Sequence, residues 1–246
     1  MTWKKLSYFS LLLVPIAVIA CASTSQNINK KAFRQALSKP VEAWTLEECE
    51  AVIHRYTVTS QRWGPAVASE FGQGGKSIYI RAMPFTREVV KAIVRKEAIQ
   101  RRFSLQQFYQ RLKEDLESFT NFTVDPQSHK IIKKSPDAQN YLNEYTFQVY
   151  FSNISDPYRT IYVYRAEEGF FLQRDDGKFT RVIDFSGTDS DPYFTLYNDI
   201  YTMVTFSAFT DNGERLEFNE KTIPHFKLVF TSFQKEPIEL KWAEMK

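Results

Sequence analysis

From Tyr141 to the end of the chain, apolar side chains recur at every second residue, and that period places strands there rather than helices. Tyr145, Phe147, Val149 and Phe151 line one face of a strand. Ile161 and Val163 point one way, Tyr162 and Tyr164 the other. Ile238, Leu240 and Trp242 alternate with Glu239 and Lys241. Asn153-Ile-Ser-Asp-Pro157 turns the chain. Arg174-Asp-Asp-Gly177 joins strands at 169–173 and 178–185, and Asp211-Asn-Gly213 joins 200–210 to 214–219. Both are hairpin signals, because an Asp-Gly or Asn-Gly pair supplies the positive φ that tight turns need. His225 to Phe233 adds a further strand. Short strands at this spacing, with no helical pattern between them, predict an antiparallel β-sandwich over 140–246, Ig-like or related.

Upstream the period is helical. Thr45-Leu-Glu-Glu48 is a capping box that opens a helix to about Thr57. Residues 59–76 are loop-like, and 77–85 alternates as a strand with Ile78, Ile80 and Ala82 on one face. Thr86 caps a helix striped by Val89, Val90, Ile93 and Val94. Ser104 caps another, striped by Leu105, Phe108, Tyr109, Leu112, Leu116 and Phe119. Phe122–Val124 reads as a turn or short strand, followed by an exposed connection. The expected fold class is therefore α+β. A mainly helical region with one strand, 40–125, precedes the sandwich, either as a separate part or as one composite domain with it. The strand around Ile80 either joins the sandwich or stays apart from it.

The first residues say where such a chain goes. Lys4 and Lys5 precede an apolar run from Leu11 to Ala20, broken only by Pro15. About ten apolar residues make a secretory leader and fall short of the roughly 20 that cross a bilayer. The run ends in Val18-Ile19-Ala20-Cys21, which resembles the lipobox of bacterial lipoproteins. The resemblance implies a diacylglycerol on the thiol of Cys21, cleavage of residues 1–20, and a second acylation, such as palmitate, on the new amino terminus. Two or more acyl chains hold a protein on a membrane stably, where one is marginal. Ala22 and Ser23 follow the cysteine, where an aspartate would signal retention at the inner membrane. For a Gram-negative source this implies the outer membrane, periplasmic side. Residues 21–39, rich in Ser, Asn, Gln and Lys, read as a tether with at most a short helical turn at 30–37.

Composition narrows the classes. Of 246 residues, 226 remain after cleavage, enough for one large domain or two small ones. Taking Lys4 and Lys5 from 32 basic residues leaves 30 against 29 acidic, so no global field recruits nucleic acid. With Cys21 acylated, Cys49 is the one remaining cysteine, and no intramolecular disulfide can form. Cys49 shares a helical face with Leu46, Val52, Ile53 and Tyr56, the place of a small core residue.

No motif reaches a catalytic signature. Gly75-Lys76-Ser77 resembles the end of a phosphate loop, but Glu70 stands where its first glycine belongs and a strand follows. His54, His129 and His225 lie on a helix, in a connection and at a strand start, without zinc-ligand spacing. Asp184, Asp189 and Asp191 supply oxygens a calcium ion could use, yet their spacing is not that of an EF-hand, and ordinary turn chemistry explains them. Arg87, Lys91, Arg95, Lys96, Arg101 and Arg102 give one helix a positive side, read as a solvated face before a docking surface. No cofactor is called for. The expected function is a lipid-anchored, non-catalytic binding or scaffolding module whose partner is another envelope protein. A periplasmic hydrolase of peptidoglycan or glycan is the alternative, and would need a cleft holding a carboxylate of shifted pKa. A carrier of an apolar ligand comes third, and would need a large internal cavity.

Overall fold

The structure is a computed structural model that describes residues 25–60, 78–153, 161–164, 169–186, 193–196, 200–231 and 237–242. Its first half holds α1 (Ser25–Leu37), α2 (Leu46–Tyr56), β1 (Val58–Thr59), β2 (Ile78–Pro84), α3 (Arg87–Arg101), α4 (Leu105–Phe119), β3 (Phe122–Val124) and β4 (Ile131–Lys133). Strands β5 (Glu144–Asn153), β6 (Ile161–Tyr164), β7 (Phe170–Arg174), β8 (Phe179–Ser186), β9 (Tyr193–Leu196), β10 (Ile200–Ser207), β11 (Phe226–Phe230) and β12 (Ile238–Lys241) follow.

Local chemistry starts the helices where the sequence places them. Thr45 Oγ1 accepts from the Glu48 amide at 3.3 Å, and Glu48 Oε2 accepts from the Thr45 amide at 2.7 Å. Ser104 and Gln107 repeat the arrangement at the head of α4, at 3.2 and 2.8 Å. The segment expected to be a tether is helical from Ser25 onward. Ala32 and Ala36 are buried, and the Phe33 ring meets Tyr56 of α2 edge-on at 6.3 Å. A stripe of two alanines and one phenylalanine is narrow, and packing on α2 rather than propensity holds it helical. β4 also forms where an exposed connection was expected, as a hairpin with β3. At 214–219 the expected strand reduces to a bridge between Phe209 and Arg215, beside a turn with Gly213 at φ 77°.

The fold is α+β with a large antiparallel sheet. Eight strands run in the order β1-β2-β5-β10-β8-β7-β11-β12, and β6 pairs separately with β9. β2 lies beside β5, with Ala82 opposite Val149, so the strand around Ile80 belongs to this sheet. The expected Ig-like sandwich is two sheets, whereas these eight strands form one hydrogen-bonded order that curls toward a barrel. β8 makes the bend: Phe179–Arg181 pair with β7, and Val182–Ser186 pair with β10 across an irregularity at Thr205/Phe206. A bulge of this kind kinks and twists a strand. The curl brings β1 and β12 into contact, and Trp242 Nε1 donates to the Tyr56 carbonyl at 2.7 Å.

Rings fill the space the sheet encloses. Phe151 of β5 lies 5.7 Å from Phe230 of β11, and Phe206 of β10 lies 5.6 Å from Phe170 of β7. Phe147 sits 6.1 Å from Trp242, and Phe218 closes on both. These separations are those of favourable aromatic pairs. The same buried cluster continues through Val52, Val89, Val94, Leu112 and Leu116, so helices and strands share one core. Cys49 is part of it, fully buried, and burial pushes its thiol up to about 12.

Candidate functional site

On the outer face of β7, β11 and β12 lies a recess of about 150 Å3. The β7–β8 hairpin contributes Gln173, Arg174, Asp175 and Gly177, β11 contributes Lys227, and β12 contributes Glu239 and Lys241. Gly177, at φ 86°, lets the hairpin close: its amide donates to the Arg174 carbonyl, and the Arg174 amide donates to Lys178. The Asp175 amide donates to the His225 carbonyl at 2.8 Å, tying the hairpin tip to the 3-10 turn before β11. Phe226, Leu228 and Phe230 face the core, so Lys227 faces out. Register places Lys227 directly opposite Gln173 on one side and Lys241 on the other.

Two lysines opposite each other repel, and each is answered. Lys227 Nζ lies 2.6 Å from Glu239 Oε1, and Lys241 Nζ lies 3.1 Å from Asp175 Oδ1. The other oxygen of Asp175 lies 3.3 Å from His225 Nδ1. The Lys241 hydrogen bond, with His225 behind it, holds the Asp175 carboxyl below the usual range. Next to it Arg174 grips Asp176 through two nitrogens and holds that carboxyl down at about 2. Lys178 does the same in kind for Glu214, 2.6 Å away.

The recess offers ammonium donors, carboxylate acceptors and an amide on long side chains. Its volume is that of about five liquid waters, below the roughly 300 Å3 at which enclosed small-molecule sites begin. It suits a protruding side chain or the edge of a polymer. Asp175 and His225 form an acid–imidazole pair, but the residues lining the recess include neither a hydroxyl nor a thiol for that pair to activate.

Another strongly shifted carboxyl lies elsewhere. Asp115 of α4 is 8% exposed, and burial raises its carboxyl to about 6 against the pull of Arg111, whose Nε lies 3.3 Å away. It borders a depression formed by Phe85, Val90, Ile93 and Phe119 that has no space for a water. Phe85 and Phe119 stack at 4.5 Å across it. This carboxylate is sealed into packing and meets no substrate-sized space.

Of the residues singled out in the sequence, Cys21, Asp189, Asp191 and Gly75-Lys76-Ser77 lie outside the described residues. Asp184 is exposed on β8, opposite Thr205. His54 is exposed on α2. His129 occupies a turn at φ 56° and stacks on Tyr109 at 4.2 Å. Of the three histidines, His225 lies beside the recess, against Asp175 of its lining. Among the described residues no cluster of three metal-binding side chains occurs. The cations of α3 are engaged rather than simply solvated. Lys91 reaches Glu88 at 2.6 Å and lies over the Trp44 ring, Lys96 reaches Glu50 at 3.0 Å, and Arg95 donates to the Trp44 carbonyl at 3.1 Å. The recess itself was not legible in the sequence: its residues come from three separated segments, and only strand register brings them together.

No protein-family model matches the chain, and no curated protein matches it. A solved structure that it is similar to is the crystal structure, at 1.90 Å resolution, of a novel protein of unknown function from Burkholderia pseudomallei K96243. The two share 11% identity and a TM-score of 0.35 over 88% of this chain and 89% of that one.

Proposed function

We propose that this protein is a lipid-anchored component of the bacterial cell envelope, held by an acylated Cys21 on the periplasmic side of the outer membrane. It works there as a non-catalytic binding or scaffolding module, and its partner is another envelope protein that inserts a side chain into the recess of β7, β11 and β12. The observation that carries this reading is where the room lies. Among the described residues the interior is occupied by the rings of Phe147, Phe151, Phe170, Phe206 and Phe230, while a recess of about 150 Å3 lies outside, among paired charges. A filled interior speaks against an apolar-ligand carrier. The packing around Asp115 speaks against a hydrolase built on that carboxylate. We further infer that the curled sheet acts as two facing layers, in the manner of an Ig-like or related sandwich. β5 and β10 form one layer, β7, β11 and β12 the other, as the Phe151–Phe230 and Phe206–Phe170 pairs support.

Two measurements test this. Photo-crosslinking from position 239 in living cells is expected to trap one envelope protein, and Lys227→Ala with Lys241→Ala is expected to abolish the adduct while the unfolding midpoint stays put. An adduct indifferent to both substitutions overturns the recess as the binding site. Mass spectrometry of the native protein is expected to find an acylated Cys21 as first residue, and Cys21→Ser is expected to leave the membrane fraction. An unmodified first residue overturns the anchor.

A further inference from the structure

α1 carries three cations, Lys30, Lys31 and Arg34, all exposed, and has no acidic residue. At about 100° per residue they fall within about 100° of the helix circumference. Ala32, Phe33 and Ala36, which pack α1 onto α2, occupy the opposite side. The basic side therefore points away from the body. Among the described residues none of the three is paired with a carboxylate, whereas on α3 Lys91, Lys96 and Arg101 each reach one, at 2.6, 3.0 and 3.1 Å. The fold answers its cations from within along α3 and leaves those of α1 without a counter-charge.

Chain length says what lies opposite. Ser25 follows Cys21 by four residues, which span at most about 14 Å fully extended. α1 is about 20 Å long. If it stood upright on the membrane, Arg34 would lie well beyond the screening length of about 8 Å at physiological salt. If it lies flat, all three cations fall within range. We propose that α1 lies along an anionic phospholipid surface, with Lys30, Lys31 and Arg34 on the phosphate headgroups, so that charge and acyl chains form one two-part anchor that fixes the orientation of the body. The flat orientation rests on the reading of Cys21 as the lipidated residue. The affinity of the basic side for headgroups does not.

The test uses residues 22–246, which retain every described element and carry no acyl chain to mask a charge effect. At low salt this protein is expected to sediment with phosphatidylglycerol-containing vesicles and not with phosphatidylcholine alone. Replacing the three cations (Lys30→Gln, Lys31→Gln, Arg34→Gln) is expected to weaken binding on the order of a hundredfold, at an unchanged urea midpoint. Lys130→Gln with Lys133→Gln, at two exposed cations of the β3–β4 hairpin, is expected to bind as the parent does. Equal binding to both vesicles, binding to neither, or a triple variant that binds like the parent overturns the proposal. An acylated Cys21 together with charge-blind vesicle binding overturns the α1 face alone. Charge-dependent binding by a protein whose native Cys21 is unmodified supports that face and overturns the anchor.

Discussion

The indole nitrogen of Trp242 donates to the main-chain carbonyl of Tyr56, 2.7 Å away across 186 residues of sequence. One end of this bond is the last residue of α2, the other the residue just after β12. It joins the two ends of the sheet order and ties the helices to the strands. Trp242 is 2% exposed and Tyr56 likewise, so no water replaces the donor. Trp242→Phe keeps most of the ring and strands that carbonyl, which costs about 1–3 kcal/mol. Trp242→Ala also opens a cavity beside Phe147 and Phe218, for a total nearer 3–5 kcal/mol. Urea titration checks both. Equal losses for the two variants would show that the packing carries nothing beyond the hydrogen bond, and an undiminished Trp242→Phe would show that the hydrogen bond carries nothing beyond the packing.

Cys49 gives a second check on the core. Its thiol is fully buried and pushed up to about 12 by that burial, against the pull of Arg95. The nucleophilic species is the thiolate, so a thiol reagent at pH 8 is expected to leave Cys49 of the folded protein unlabelled and to label it in step with unfolding as urea rises. Cys49→Ser is expected to be less stable than Cys49→Ala by about 1–3 kcal/mol, because a hydroxyl is then buried among apolar neighbours. Rapid labelling of the folded protein at pH 8 would place Cys49 outside the core.

How much of this was legible depends on range along the chain. The capping boxes at Thr45 and Ser104 are each settled within three residues, and both helices start there. Arg174-Asp-Asp-Gly177 is equally local, and its hairpin is β7–β8. The alternation of Tyr145, Phe147, Val149 and Phe151 places them on a strand, but their neighbours on β2 and β10 are roughly 50 to 70 residues away, and no local signal carries that pairing. α1 was misread for a related reason: its polar residues look like a linker, and the two alanines and Phe33 become a packing face only once α2 is beside them. The recess stayed hidden because Lys227 and Lys241 repel each other, an arrangement that makes sense only after Glu239 and Asp175 are seen beside them.

The hairpin tip next to the recess can be titrated directly. Arg174 holds the Asp176 carboxyl down at about 2, from an ordinary value of 3.8. Carbon-detected NMR of the side-chain carboxyls is expected to place the Asp176 midpoint near that value, and Arg174→Gln is expected to move it back toward 3.8. Since the folded value is the lower one, whatever stability the pair contributes is present above about pH 4 and is lost as pH falls through 2. Asp176 is exposed and Arg174 half-exposed, so high salt is expected to raise the midpoint as well. A midpoint unmoved by the substitution would mean that the main-chain amide of Lys178, and not Arg174, sets it.

Asp115 runs the other way and gives the sharpest pH signature. Its carboxyl is raised by burial from 3.8 to about 6, even with Arg111 alongside. The folded state therefore holds this proton more tightly than the unfolded chain does. The stability this contributes is complete below about pH 4 and is lost as pH rises through 6, which at neutral pH amounts to as much as about 3 kcal/mol. Asp115→Asn removes the titration and keeps the shape. Between pH 4 and pH 7 the wild type is expected to lose up to about 3 kcal/mol relative to the Asn variant, while carboxylates common to both cancel in the difference. Parallel stability curves over that range would mean that the Asp115 carboxyl is no more buried in solution than an ordinary surface acid, and that α4 does not close on Phe85 and Phe119 as described. A wild type that gained on the variant with rising pH would instead make the Arg111 ion pair the dominant influence.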